Sequence, residues 1–406
     1  MPNMIAINDR INMPHSRERF ALSLLSQRLR QSPVVLIQGA RQVGKSFLVQ
    51  NLLKEALPLK SRATFKYLTL DSPSLRREAN QNPETFILER DDAYPLAIDE
   101  AQKAPDLFDV VKMRVDQKRV PGKFILLGST EFSHRSRVRE SLTGRASILR
   151  CFPMTLGETL GLKAEPSRIL LDKVSDERVS REDLIRYLMR GGFPGIFSLR
   201  SDTQRQEALS GWIELTTRRD LLELPKRTLN SELAYQIINY LAVGAQTDLA
   251  SIAKSLRLRT TVVKSHLEAL ETLFVVNPIY PSKLGAGKVR YLLCDVSIVN
   301  FFDGGLEQKL RTFILQELLV AASLINDPLA KINYYTTSRG SVIDFLYEIK
   351  GKRFAIKIIP SEQIDERELY VCEGLQKKDP NLEIFILGPL KTKIRGFQML
   401  PWEAIA

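Results

Sequence analysis

Gly39-Ala-Arg-Gln-Val-Gly44-Lys45-Ser46 constrains this 406-residue chain more than any other segment. Before it runs Pro33–Ile37, a short, fully apolar, β-branched stretch of the kind that forms a buried parallel strand. After it, Phe47–Leu53 carries apolar residues at helical spacing. A strand, a glycine loop and a helix in that order make an anion site. Glycine at 39 and 44 lets the backbone turn successive amides inward, and the helix adds its positive amino end. The loop from Gly39 through Ala40, Arg41, Gln42, Val43 and Gly44, with Phe47 just beyond, would cradle phosphates. Lys45 would reach the outer phosphates, and the Ser46 hydroxyl would ligate Mg²⁺.

Two further strand ends supply what such a site needs. Pro95–Ile98 is a second apolar run, ending in Asp99-Glu100. The spacing assigns Asp99 to the Mg²⁺ shell and Glu100 to the attacking water, at the carboxyl end of a strand where α/β sheets bind ligands. Lys123–Leu127 runs into Gly128-Ser129-Thr130. Ser129 either senses the terminal phosphate through the water or caps a helix. Arg145 closes Ser141–Arg145 in an arginine-rich stretch with Arg135, Arg137, Arg139 and Arg150. It is the candidate charge-stabilising finger, acting within its own chain or in a neighbour's site; most of the others read as a solvated helix face.

Together the blocks GARQVGKS, LAIDEAQKAPDLFDVVK, FILLGST, SLTGRASIL and GGFPG resemble a prokaryotic AAA-like ATPase family. Its members place a P-loop domain ahead of a winged helix and a PD-(D/E)XK nuclease-like fold. The resemblance spans roughly residues 20–360. It implies ATP as the nucleotide, with Gly39–Ser46, Asp99, Glu100, Ser129 and Arg145 in the roles above. The expected fold class is α/β: a P-loop NTPase (AAA-like) core over 1–157 and a helical lid over 158–240. A winged helix over 241–300 and a degenerate, inactive restriction-endonuclease-like α/β domain over 301–406 complete it.

The remaining sequence fits that outline. Glu158–Tyr240 reads as helical, broken by the turn Gly191–Gly195. In similar ATPases such a segment lies over the nucleotide, so Arg218 and Arg219 either touch the site or form a solvated pair. Thr247–Leu256 reads as a capped amphipathic helix, and a turn leads to a second helix, Thr260–Leu270, before an apolar strand over Leu273–Val276. Lys254, Arg257, Arg259 and Lys264, with Lys283, Lys288 and Arg290 in the following hairpin, would face DNA, or the unit would simply pack against the ATPase core. Farther on, Leu310–Ile325 reads as a helix, and Ser341–Tyr347 and Phe354–Ile359 as strands. The family's nuclease pattern puts an acid at Asp344. Its Glu and Lys positions hold Lys357 and Ile359, and its helix acid falls near Arg311 or Thr312. One carboxylate among cations cannot assemble a Mg²⁺ site, unless Glu317 or Glu348 compensates in another register.

Charge favours polyanionic partners. Residues 1–150 hold 25 basic against 16 acidic side chains, within a net +12 for the chain. No apolar run approaches the length of a membrane span, no secretory leader is evident, and the three dispersed cysteines point to a reducing, cytoplasmic setting. The expectation is a Mg²⁺-dependent, ATP-hydrolysing switch, with DNA or RNA as the leading partner and oligomers open. A slow-turnover scaffold for a protein partner and an ATP-dependent nuclease are the alternatives.

Overall fold

The computed structural model describes residues 17–54, 57, 59–131, 142–162, 179–224, 228–244, 246–327, 329–361 and 364–406. Arg135, Arg137 and Arg139 lie outside them. The first sheet comprises β1 (Val34–Gln38), β2 (Lys66–Thr69), β3 (Leu96–Asp99), β4 (Phe124–Gly128) and β5 (Ala146–Arg150), all parallel, in the order β2-β3-β4-β1-β5. Every residue of β1, β3 and β4 is buried, because helices cover both faces. Val35 and Ile37 face the helix Ala21–Gln31 and the helical stretch Lys45–Leu53; Val34 and Leu36 face the helices Pro73–Gln81, Pro83–Leu88 and Leu107–Gln117. Burying each such side chain is worth about 2 kcal/mol. The three strands read from sequence are therefore present, each shifted by one residue toward its carboxyl end. The edge strand β5 was missed. Ala146–Arg150 is partly exposed and carries no alternation strong enough to stand out beside the arginines.

Because β4 lies between β1 and β3, the loop after β1 and the acids after β3 are two strands apart. Ser129, at the end of β4, sits between them. Sheet order, not sequence spacing, brings the three motifs together.

The middle of the chain is helical: Arg181–Arg190, Pro194–Phe197, Asp202–Glu214 continuing through a π-helical stretch to Asp220, and Ser231–Val243. Next come Leu249–Ser255, capped by Asp248 on the amides of Ala250 and Ser251 at 3.1 and 3.3 Å, and Thr260–Thr272. An antiparallel hairpin of β6 (Val276–Pro281) and β7 (Arg290–Leu293) follows. The expected strand over Leu273–Val276 is instead a turn, with Phe274 at φ 59°, that ends the helix and starts β6. Ile237, Ile252, Val263, Leu267 and Leu270 share one apolar core with the first sheet.

The last sheet is larger than expected. β8 (Lys331–Thr336), β9 (Val342–Ile349), β10 (Lys352–Ile358), β11 (Glu383–Gly388), β12 (Thr392–Ile394) and β13 (Phe397–Pro401) are joined by the hairpin itself, in the order β12-β13-β11-β10-β9-β8-β6-β7. The link is parallel pairing of Tyr280 and Pro281 with Asn333 and Tyr334. The helix Leu306–Ile325 covers one face and Tyr370–Lys378 the other. The boundaries expected at 157/158, 240/241 and 300/301 each fall inside a helix, Leu156–Thr159, Ser231–Val243 and Val296–Phe301. Among the described residues no helix is long and apolar enough to cross a membrane.

Candidate active site

The Gly39–Ser46 loop closes over the carboxyl end of β1. Gly44 takes φ +91°, and a Cβ on Gly39 would lie 2.1 Å from the carbonyl oxygen of Cys151, so both glycines are required by the backbone path. Lys45 is buried, and its ammonium donates to the carbonyl oxygens of Gly39 and Ala40 at 2.9 and 2.8 Å. Burial pulls it below the ordinary lysine value. Ser46 Oγ donates to Asp99 Oδ2 at 2.6 Å, and the Tyr67 hydroxyl donates to the same oxygen.

Glu100 follows with φ 55°, a left-handed backbone that a non-glycine residue adopts at a cost of roughly 1–2 kcal/mol. Its amide donates to Asp99 Oδ1 at 2.9 Å. Burial, with Asp99 alongside, pushes the Glu100 carboxyl above the usual carboxylate range. Gln102 bridges the next strand end: its amide bonds Glu100 Oε2 and lies 3.3 Å from Ser129 Oγ, itself 3.3 Å from Glu100. Lys45, Ser46, Asp99, Glu100 and Ser129 thus line one cavity of about 610 Å³. Arg41, Gln42, Gly44 and Phe47 also line it; Val43 is fully buried and reaches the site through its backbone.

Arg145 does not join them. It precedes β5, whose Ala146 is in register with Val34 at the start of β1, so the five-residue strand holds it roughly 16 Å from the glycine loop. Its guanidinium instead pairs with Asp116 at 2.5 and 2.9 Å. As a finger within its own chain Arg145 fails on distance. Arg150, from the same arginine-rich stretch, ends β5 and donates to Asn277 Oδ1 at 2.6 Å, between the rings of Phe152 and Phe274.

Three groups at the cavity make contacts that the sequence did not signal, although Arg41 and Gly191–Gly195 lie in motifs read there. Arg19 is 7% exposed and bonds the carbonyls of Val43 and Phe152, both at 2.7 Å, and Glu158 at 3.1 Å. It ties the glycine loop to the segment after β5. Arg41 forms a bidentate pair with Asp220 at 2.6 and 2.7 Å, and its carbonyl accepts from Trp212 Nε1 at 3.1 Å. Of the acidic and basic residues at the end of that helix, Asp220 is the one that meets the loop; Arg218 and Arg219 pair along their own helix with Glu214 and Glu223. Finally, Gly191–Gly195 forms a wall. Gly192 accepts from Met154 N–H at 2.7 Å and donates to buried Asp295 at 2.8 Å, while Met154, Pro194 and Ile196 line the cavity.

In the last sheet, Asp344 on β9 is buried and both its oxygens are occupied, by Arg311 Nε at 2.8 Å and by the Ile358 amide at 2.8 Å. Arg311 stands where the family's helix acid was expected. Lys357 pairs with Glu368 at 3.6 Å, and Glu348 lies across from Arg353 and Lys331. Glu317 points elsewhere, to the Leu156 amide at 2.8 Å. Among the described residues no group of three His, Cys, Asp or Glu is placed to hold a metal ion.

Residues 31–160 match the family model of an AAA domain, and residues 181–308 match that of a domain of unknown function (DUF8612). Two curated relatives, uncharacterized proteins of Mycobacterium tuberculosis and Mycobacterium bovis, are each 26% identical over 378 residues, covering 87% of this chain and 78% of the relative. Among solved structures, a Walker-type ATPase of Pyrococcus abyssi aligns with TM-score 0.38 and 16% identity over 71% of this chain and 95% of that one. The Drosophila ORC bound to DNA aligns with TM-score 0.25 and 13% identity over 74% and 93%. The AAA match and the parallel α/β sheet support a P-loop ATPase.

Proposed function

We propose that this chain is a Mg²⁺-dependent ATPase whose hydrolysis shifts the arrangement of the elements after its P-loop domain. The observation that carries the reading is the convergence of Lys45, Ser46, Asp99, Glu100 and Ser129 on one cavity. Magnesium fits the donor set: a hydroxyl and a carboxylate 2.6 Å apart are hard oxygen ligands of the kind this ion selects. Held by Ser46 and Asp99, it would supply positive charge against the charge that develops on the departing group. Lys45 leaves its loop carbonyls for the phosphate oxygens. Glu100, its basicity raised by burial, takes a proton from the attacking water as the oxygen–phosphorus bond forms. The bond to the bridging oxygen breaks with its electron pair going to ADP, leaving ADP and inorganic phosphate. Ser129 and Gln102 hold Glu100 in line. The base lies against Met154, Pro194 and Ile196.

Two chains of contacts support transmission. Arg19 links the loop to Glu158, whose helix starts on Glu317 of the helix Leu306–Ile325. Asp295 links the Gly191–Gly195 wall to the segment after β7. We read the helices 231–272 with the hairpin as a winged helix, and the last sheet as a nuclease-like fold whose metal position is held by the Arg311–Asp344 pair.

Exposure of Lys254, Arg257, Arg259, Lys264, Lys283 and Lys288 favours nucleic acid as the partner; the helices that carry Lys254 and Lys264 bury their opposite face. For Arg145 we keep only the form in which it reaches a second copy's site. Steady-state ATP hydrolysis with Mg²⁺, with and without duplex or single-stranded DNA at low salt, tests both parts. Turnover lost in Glu100→Gln is expected. No Mg²⁺-dependent turnover in the wild-type chain would sink the ATPase reading, and indifference to DNA would move the partner to a protein.

A further inference from the structure

With Arg145 at the far end of the strands, the site needs another cation for the charge on the transferring phosphoryl group. Among the described residues, three arginines line the cavity. Arg19 is buried and committed to two carbonyls and a carboxylate, so it cannot swing without dismantling the loop. Arg17 stacks over the Phe197 ring at 5.1 Å, on the side of the base wall. Arg41 differs from both. It follows Gly39 and Ala40, whose carbonyl oxygens hold the Lys45 ammonium, so its backbone passes beside the group that meets the outer phosphates. Its guanidinium is partly exposed at 23% and is gripped by one carboxylate from another element. Asp220 presents two oxygens to two nitrogens of the fork, the geometry a phosphate group also offers. Glu100 and Asp71 line the same cavity as Arg41.

We propose that Arg41 is the arginine that stabilises the transferring phosphoryl group within this chain, and that Asp220 holds it aside until a triphosphate takes over its fork. This rests on the ATPase reading above. In the step, the water oxygen bonds to the terminal phosphorus, its proton passes to Glu100, and the bridging bond breaks toward ADP; Arg41 donates to the equatorial oxygens, where charge accumulates. The handover also has a mechanical consequence. Asp220 ends the helical stretch that begins at Asp202 and carries Trp212, whose indole bonds the Arg41 carbonyl. Releasing the side chain frees one of two ties between loop and helix. Loss of the terminal phosphate restores it.

The pair as mere scaffolding and the pair as a gated catalytic arginine predict opposite behaviour for its two halves. The full chain is tested as wild type, Arg41→Ala, Arg41→Lys, Asp220→Asn and the Arg41→Ala/Asp220→Asn double variant. The readouts are ATPase kcat and KM, and binding of mant-ATP by fluorescence, which reports a folded site independently of turnover. The expected result is a kcat lower by at least about 10²-fold in both Arg41 variants, mant-ATP still bound, and a kcat raised several-fold in Asp220→Asn. A parallel loss in Arg41→Ala and Asp220→Asn, no deeper in the double variant, would show a structural pair and overturn the proposal. An unchanged kcat in Arg41→Ala would overturn it too, leaving the ATPase reading intact. A wild-type chain that binds mant-ATP without turnover would instead defeat that underlying reading.

Discussion

Replacing Glu317 with Gln should change how stability depends on pH. Glu317 lies on the helix Leu306–Ile325 and is 1% exposed. Its Oε1 accepts from the Leu156 amide at 2.8 Å, while Oε2 is buried with no hydrogen-bond partner among the described residues. The ionisable groups that face it are Glu158, on the turn it caps, and Tyr187. The cation of this cluster, Arg19, is already bonded to Glu158. Burial, with the Glu158 charge adding to it, pushes the Glu317 carboxyl from an ordinary 4.5 up to about 8. The unfolded chain releases this proton near 4.5; the folded chain keeps it to about 8. Over that window folding takes up a proton, so Glu317 contributes stability that is fully present below the lower value and lost as pH rises through the upper one. Glutamine does not titrate. The stability of Glu317→Gln relative to wild type should therefore grow by about 1.4 kcal/mol per pH unit, about 3 kcal/mol between about pH 5.5 and about pH 8. Urea unfolding at several pH values measures this directly. Parallel curves for the two proteins would refute the argument, because they would mean that the carboxyl titrates alike in both states.

Three other outcomes are expected. Glu100→Gln should bind ATP but lose roughly 10²–10⁴-fold in kcat, the usual worth of a positioned base; turnover within tenfold of wild type would remove Glu100 from the chemistry. Arg311→Ala leaves Asp344 buried and without its cation, and should cost about 3–5 kcal/mol in urea unfolding, most of it recovered in Arg311→Met/Asp344→Asn. Asp295→Ala strands the buried Gly192 amide, at about 1–3 kcal/mol. It should also weaken mant-ATP binding through the Met154–Pro194 wall, and an unchanged affinity would disconnect that wall from the nucleotide.

The site's chemical identities were legible in the chain because each depends on neighbours in sequence. Gly44 is demanded by local backbone geometry, Ser46 follows Lys45 on the first helical turn, and Asp99-Glu100 end a strand whose four residues are all buried. Buried parallel strands read well because both faces are apolar. Contacts at long range left no local trace. Arg19 meets Glu158 across 139 residues, Arg41 meets Asp220 across 179, and Gly192 meets Asp295 across 103. In each case a single side chain in an ordinary-looking segment finds its partner only after the sheet and helices have packed. Arg145 shows the converse: the arginine-rich stretch is plain in sequence, but which end of β5 it occupies is a matter of strand direction and register. The same holds for the hairpin β6–β7, readable as two strands yet absorbed into the last sheet through backbone pairing with β8. Local sequence determined which groups could bind phosphate; tertiary packing decided which arginine stands beside them, because hydrogen bonds between distant elements follow from packing rather than from periodicity.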